Sequence, residues 1–66
     1  MRNKIKVLRA ERRLTQEQLA AKAGISRSTL AMIENEKVIP DGNTIARLVR
    51  SLGVPANQIF MDLDVV

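Results

Sequence analysis

The fold of this chain is decided by residues 14–35, which read LTQEQLAAKAGISRSTLAMIEN. Thr15 is followed three residues later by Gln18, the capping-box pattern that marks the start of a helix. Gly24 suits the end of that helix, because glycine adopts left-handed backbone angles without steric cost. Ser26 is a good N-cap for a second helix. The stretch therefore predicts two short helices joined by a tight turn around a glycine.

Three further helices are predicted around this stretch. The first runs from Asn3 to about Arg12 and turns Ile5 and Leu8 inward. Asp41 caps a fourth helix that ends at Gly53, and a short fifth helix follows Pro55. We therefore predict an all-α, compact five-helix domain over residues 1–60. Its predicted core comprises Leu19, Ala20, Ala23, Leu30, Ile33, Ile45, Leu48, Val49, Leu52, Ile59 and Phe60.

The composition narrows the classes of function. With 66 residues, the chain is sized for one domain. It has no cysteine and no histidine, so we expect no disulfide, no thiolate metal site, no cofactor and no enzymatic activity. No apolar run approaches the ~18 residues of a membrane span, and no signal peptide is evident, so a cytoplasmic location is expected.

The positive charge is concentrated at the N-terminus. Residues 1–13 carry a net charge of +5, and the remainder carries −1, within an overall +4. A basic pole suits a polyanionic partner. The same pattern is equally compatible with a solvated, lysine-rich first helix, so composition leaves both interpretations open.

The spacing of the second and third helices is typical of a helix-turn-helix. If Leu30 and Ile33 hold the third helix from behind, its opposite face is free to enter the major groove of B-DNA, about 12 Å wide. The guanidinium of Arg27 can donate two hydrogen bonds to the O6 and N7 atoms of guanine, and Met32 could pack on a thymine methyl. The alternatives are a solvated arginine in a first helical turn and plain edge packing of the methionine.

Three segments resemble the Xre family of lambda-repressor-like DNA-binding proteins: LTQEQLA at 14–20, AGISRSTL at 23–30 and IEN at 33–35. The similarity extends to Lys37, Pro40 and Leu52-Gly53-Val54, and covers roughly residues 3–60. It implies a regulator of transcription that binds double-stranded DNA with the third helix, about 27–34, in the major groove. Because a 66-residue domain leaves no room for a sensor module, we expect a repressor that blocks a promoter.

The resemblance also implies roles for individual residues. Base contacts are expected from Arg27, Ser28 and Met32, and phosphate contacts from Thr15, Gln16, Asn35 and Lys37. Gln16 could also brace Arg27. Arg9 and Glu34 match positions that form a structural ion pair. The first helix is expected to pack mostly behind the motif, which would leave Lys4 and Lys6 far from DNA.

One position departs from the family pattern. Glu36 stands where glycine is usual. If the loop keeps a positive φ there, the glutamate costs on the order of 1 kcal/mol. If it does not, the loop follows a different path, and the roles of Asn35 and Lys37 change with it.

The C-terminal tail, residues 61–66, has a different period. Met61, Leu63 and Val65 alternate with two aspartates, which predicts a short strand, and we see no second strand in the chain to pair with it. Two copies could form an antiparallel ribbon with these apolar side chains as the interface of a homodimer. A frayed terminus is the alternative. In a second class of function, the acidic and apolar tail binds another protein, such as a toxin or a co-regulator, and the chain acts as an antitoxin-like module.

Overall fold

The computed structural model describes residues 1–61, and that part of the chain contains five helices. They are α1 (Ile5–Glu11), α2 (Gln16–Ala23), α3 (Arg27–Glu34), α4 (Gly42–Leu52) and α5 (Ala56–Ile59). The predicted all-α fold and the order of its helices are confirmed. Even the longest helix within residues 1–61, with 11 residues, lacks the length and hydrophobicity that a membrane span requires.

Three helices start at the N-caps that the sequence predicts. The backbone N–H of Gln18 donates to Thr15 Oγ1 at 3.0 Å, and the Thr15 N–H donates to Gln18 Oε1 at 2.9 Å, which completes the capping box. Ser26 accepts from the Thr29 N–H at 3.0 Å and Asp41 from the Thr44 N–H at 2.8 Å. Each cap satisfies a backbone donor that the first helical turn leaves without a partner.

Helix α1 begins at Ile5 and not at Asn3, so its predicted start is wrong by two residues. Asn3 lies just outside the helix, where its Oδ1 accepts from the Ile5 N–H at 3.1 Å. Its Nδ2 donates to the carbonyl of Ile33 at 3.0 Å. A side chain that bonds to a distant helix in this way favours an extended backbone over another helical turn.

The first three helices end in the same backbone arrangement. In each, a residue with positive φ follows the helix: Arg13 at 56°, Gly24 at 72° and Glu36 at 62°. The N–H of that residue bonds the carbonyl three positions back, and the next N–H bonds the carbonyl five positions before it. This is the Schellman motif. The chain follows the expected glycine-type path at Glu36 even though the residue is not glycine.

All five helices contribute to one core. The side chains of Ile5, Leu19, Leu30, Leu48 and Ile59 are completely buried. Ile45 and Val49 of α4, which belong to the predicted core, are only partly buried and pack against the fully buried residues. The remaining buried apolar residues are Leu8, Ala20, Ala23, Ile33, Leu52 and Phe60. The predicted pair Leu30 and Ile33 therefore holds α3 from behind.

The two ends of the domain are paired. Asn3 and Phe60 form an antiparallel bridge, the Lys4 N–H donates to the Ile59 carbonyl at 2.8 Å, and the Met61 N–H donates to the Arg2 carbonyl at 2.9 Å. Residues 2–4 thus pair with residues 59–61, the last part of the chain that the structure describes. Leu63 and Val65 lie outside the described residues.

Candidate nucleic-acid interface

The three residues for which base contacts are predicted all lie on α3. Arg27 and Ser28 occupy the first turn and are exposed. Met32 is 42% exposed, and it follows Ser28 by four positions, or about 6 Å along the helix axis. The three side chains thus line one side of a helix whose opposite side is buried. This arrangement offers a guanidinium, a hydroxyl and a thioether to one surface.

The N-terminus of α2 lies close to the end of α3 in space. Gln16 Nε2 donates to Glu34 Oε1 at 3.1 Å, a bond that joins residues 18 positions apart. Sequence reasoning assigned Gln16 to a phosphate or to Arg27 and missed this partner. The bond uses one of the two amide hydrogens, so the second hydrogen and Oε1 remain for a further contact. Thr15 is exposed, and its hydroxyl can still donate while it accepts the capping bond.

Arg9 and Glu34 form a bidentate ion pair below the exposed residues of α2 and α3. Arg9 Nε lies 2.8 Å from Glu34 Oε2, and Arg9 Nη2 lies 3.1 Å from Glu34 Oε1. The Glu34 side chain is 0% exposed, and that of Arg9 is 18% exposed. Arg9 Nη1 also donates to the Leu14 carbonyl at 3.1 Å. The pair therefore fastens α1, the turn before α2 and the end of α3 to one another.

Residues 35–37 continue from α3 and are all exposed. Asn35 is the C-cap, Glu36 has the positive φ, and the Lys37 N–H donates to the Met32 carbonyl at 2.8 Å. The chain therefore turns sharply after α3 and keeps Asn35 and Lys37 at the end of that helix.

Arg47 of α4 supports the turn between α2 and α3. Its Nη1 donates to the Ala23 carbonyl at 3.3 Å, and a Cβ added at Gly24 would lie 2.7 Å from the same nitrogen. The backbone hydrogen bond from Thr44 lowers the pKa of Asp41, and the Thr44 side chain and the charge of Arg47 act in the same direction. No local pattern in the sequence indicates this role for Arg47, because its partners lie 23 and 24 positions away.

Met61 is the one residue of the predicted dimer interface that the structure describes. It is partly buried, and its N–H bonds the carbonyl of Arg2. Phe60 has the extended backbone angles φ −111° and ψ 123°. The chain is therefore extended where the tail begins.

Known proteins with a helix-turn-helix are similar to this chain in sequence and in fold. A helix-turn-helix family model matches residues 5–59. The immunity repressor protein of Bacillus phage phi105 is 45% identical over 56 residues, which is 85% of this chain and 39% of the phage protein. An uncharacterized HTH-type transcriptional regulator of Methanocaldococcus jannaschii is 41% identical over 64 residues, 97% of each chain.

One solved structure, described as a hypothetical transcription factor from Neisseria, superposes with a TM-score of 0.74 and is 27% identical. The match covers 79% of this chain and 58% of the Neisseria chain. This chain thus spans less than two thirds of the phage repressor and of the Neisseria protein. The family match, in contrast, covers nearly all of the five-helix domain. The chain therefore belongs to the Xre family of lambda-repressor-like helix-turn-helix DNA-binding proteins.

Proposed function

We propose that this protein binds specific sequences in double-stranded DNA as a homodimer and represses transcription by occupying a promoter. The observation that carries the proposal is the exposed side of α3, held from behind by Leu30 and Ile33. Helices presented in this way dock in the major groove with their N-terminal residues at the base edges. Support also comes from the similarity to a phage protein named as a repressor.

Sequence selection is assigned to three side chains of α3. Arg27 is suited to the O6 and N7 acceptors of guanine, and this kind of contact contributes about 1–3 kcal/mol of discrimination. Ser28 is short and reads bases less selectively, and Met32 packs against a thymine methyl. Around them, Thr15, Gln16, Asn35 and Lys37 contact phosphates and set the orientation of the domain on the duplex.

Dimerisation is assigned to the tail. A single helix-turn-helix contacts few base pairs, whereas a two-fold dimer reads two half-sites about 34 Å apart. The extended backbone at Phe60 supports a strand that starts there, with Met61, Leu63 and Val65 at the dimer contact. Replacing both Leu63 and Val65 with glutamate should convert the dimer to a monomer in sedimentation analysis. A dimer of unchanged mass would exclude this role of the tail.

The decisive experiment is selection of bound duplexes from a random library at physiological salt. We expect an enriched palindrome with half-sites about one helical turn apart. Arg27→Ala should lose the preference at one base pair of each half-site. Arg50→Ala, a control at an exposed arginine of α4, should keep the full preference.

Weak binding that selects no sequence and disappears as salt rises would contradict the proposal, because it would show attraction to the backbone alone. The antitoxin-like alternative would then take its place. Under that alternative, the chain should copurify in a stable complex with a second protein.

A further inference from the structure

The start of α1 lies against the end of α3. Besides the bond from Asn3 to Ile33, Lys6 Nζ lies 3.4 Å from Asn35 Oδ1, although the two residues are 29 positions apart. Lys6 and Asn35 are both exposed. This placement differs from the expectation that Lys6 lies behind the motif. Its ammonium group is instead beside the residue that follows α3.

Without Lys6, the charges at this end of α3 do not favour a phosphate. Glu36 offsets Lys37, and the charge of Glu34 is already paired with Arg9. The C-terminal end of a helix also carries the negative end of its dipole. A phosphate approaching residues 35–37 would therefore meet a neutral or slightly negative surface. The ammonium of Lys6 makes the same surface positive.

We propose that Lys6 is a further phosphate-contacting residue, acting with Asn35 and Lys37 at the C-terminal end of α3. The inference rests on the proposed DNA binding. An ammonium has three hydrogens, so Lys6 can bond Asn35 Oδ1 and a phosphate oxygen at once. Lys6 donates to the amide oxygen of Asn35, so the amide nitrogen of Asn35 can serve as a second donor to the DNA backbone.

The test is the salt dependence of DNA binding. Each phosphate contact contributes about 0.9 to the slope of log K against log salt. Lys6→Gln should therefore reduce the steepness of that slope by about 0.9, so that its loss of affinity between about 50 and 200 mM salt is ~3.5-fold smaller than that of the wild type. Lys6→Arg should keep the wild-type slope.

Lys4→Gln is the matched control, because Lys4 is an exposed lysine whose backbone is bonded to Ile59 of α5. It should leave the slope unchanged, and all variants should unfold at the same temperature. The inference is overturned if Lys6→Gln has the wild-type slope, or if Lys4→Gln reduces the slope equally through a general loss of charge. A wild-type protein that does not bind duplex DNA at all would refute the proposed function, and this inference with it.

Discussion

Replacing Glu36 with glycine should stabilise the protein. Glu36 is exposed and has a φ of 62°, in the left-handed region. Two hydrogen bonds fix that conformation, from the Glu36 N–H to the Ile33 carbonyl at 3.1 Å and from the Lys37 N–H to the Met32 carbonyl at 2.8 Å. A glycine would make the same bonds without the contact between Cβ and the backbone that strains an L-residue there.

The size of the effect is the difference between two terms. The left-handed conformation costs a residue with a Cβ roughly 1–2 kcal/mol. A glycine offsets about 0.4–1 kcal/mol of this stabilisation, because it has more conformational freedom in the unfolded chain. At the middle of both ranges, the net gain in the free energy of unfolding is about 0.8 kcal/mol, which corresponds to a rise in Tm of roughly 3–6 °C for a domain of this size.

Urea denaturation of the wild type and of two variants measures this gain. Glu36→Gly should unfold at a higher urea concentration with the same m value. Glu36→Gln removes the charge but keeps the Cβ, so it should unfold close to the wild type. If the glycine variant is no more stable than the glutamine variant, the backbone strain inferred for position 36 is absent.

Three further predictions concern residues that stabilise the helix-turn-helix and the helix α4 that packs against it. Glu34→Gln should destabilise the fold by roughly 3 kcal/mol in urea denaturation, because it leaves Arg9 without its buried partner. As a control, Glu17→Gln at an exposed position should change stability by less than about 0.5 kcal/mol. Equal effects of the two substitutions would refute the structural role of the pair between Arg9 and Glu34. Gly24→Ala should lower the free energy of unfolding by about 1–2 kcal/mol, because φ is 72° and the new Cβ would displace the Arg47 guanidinium. Gly42→Ala should be near neutral in the same assay, because a Cβ added there has no heavy atom within 4 Å. The lowered pKa of Asp41 means that its contribution to stability is present above the ordinary aspartate pKa of about 4 and is lost as pH falls through the lower value of the folded protein. Thermal unfolding of Asp41→Asn, which keeps a cap, should thus vary less with acidic pH than that of the wild type, and parallel curves would argue against this linkage.

The elements that the sequence predicts best are those with local causes. The N-caps Thr15, Ser26 and Asp41 each bond a backbone N–H three positions ahead, so a short window of sequence contains both partners. The same holds for Gly24, which ends α2 in left-handed angles that glycine adopts without steric cost. Helix order and most of the core follow from these signals and from apolar periodicity.

The contacts that the sequence does not reveal join distant parts of the chain. Arg12 Nε donates to the Leu52 carbonyl at 2.9 Å across 40 positions, and Asn3 reaches Ile33 across 30. Such pairs depend on how the helices pack, and no spacing rule along the chain encodes them. In the candidate site, resemblance to a family supplied the roles that we propose for Arg27 and Gln16, but the bond between Gln16 and Glu34 is found only in the packed structure.

That bond gives the buried carboxylate of Glu34 a role beyond stability. Buried ion pairs contribute little net free energy, because desolvation offsets most of their attraction. Their geometry is nevertheless well defined, and here Glu34 accepts from both Arg9 and Gln16. Glu34 also directly precedes Asn35, so one carboxylate holds the start of α2 and the end of α3 at a fixed separation. The two places where we propose phosphate contacts are thus held relative to each other by the same buried group.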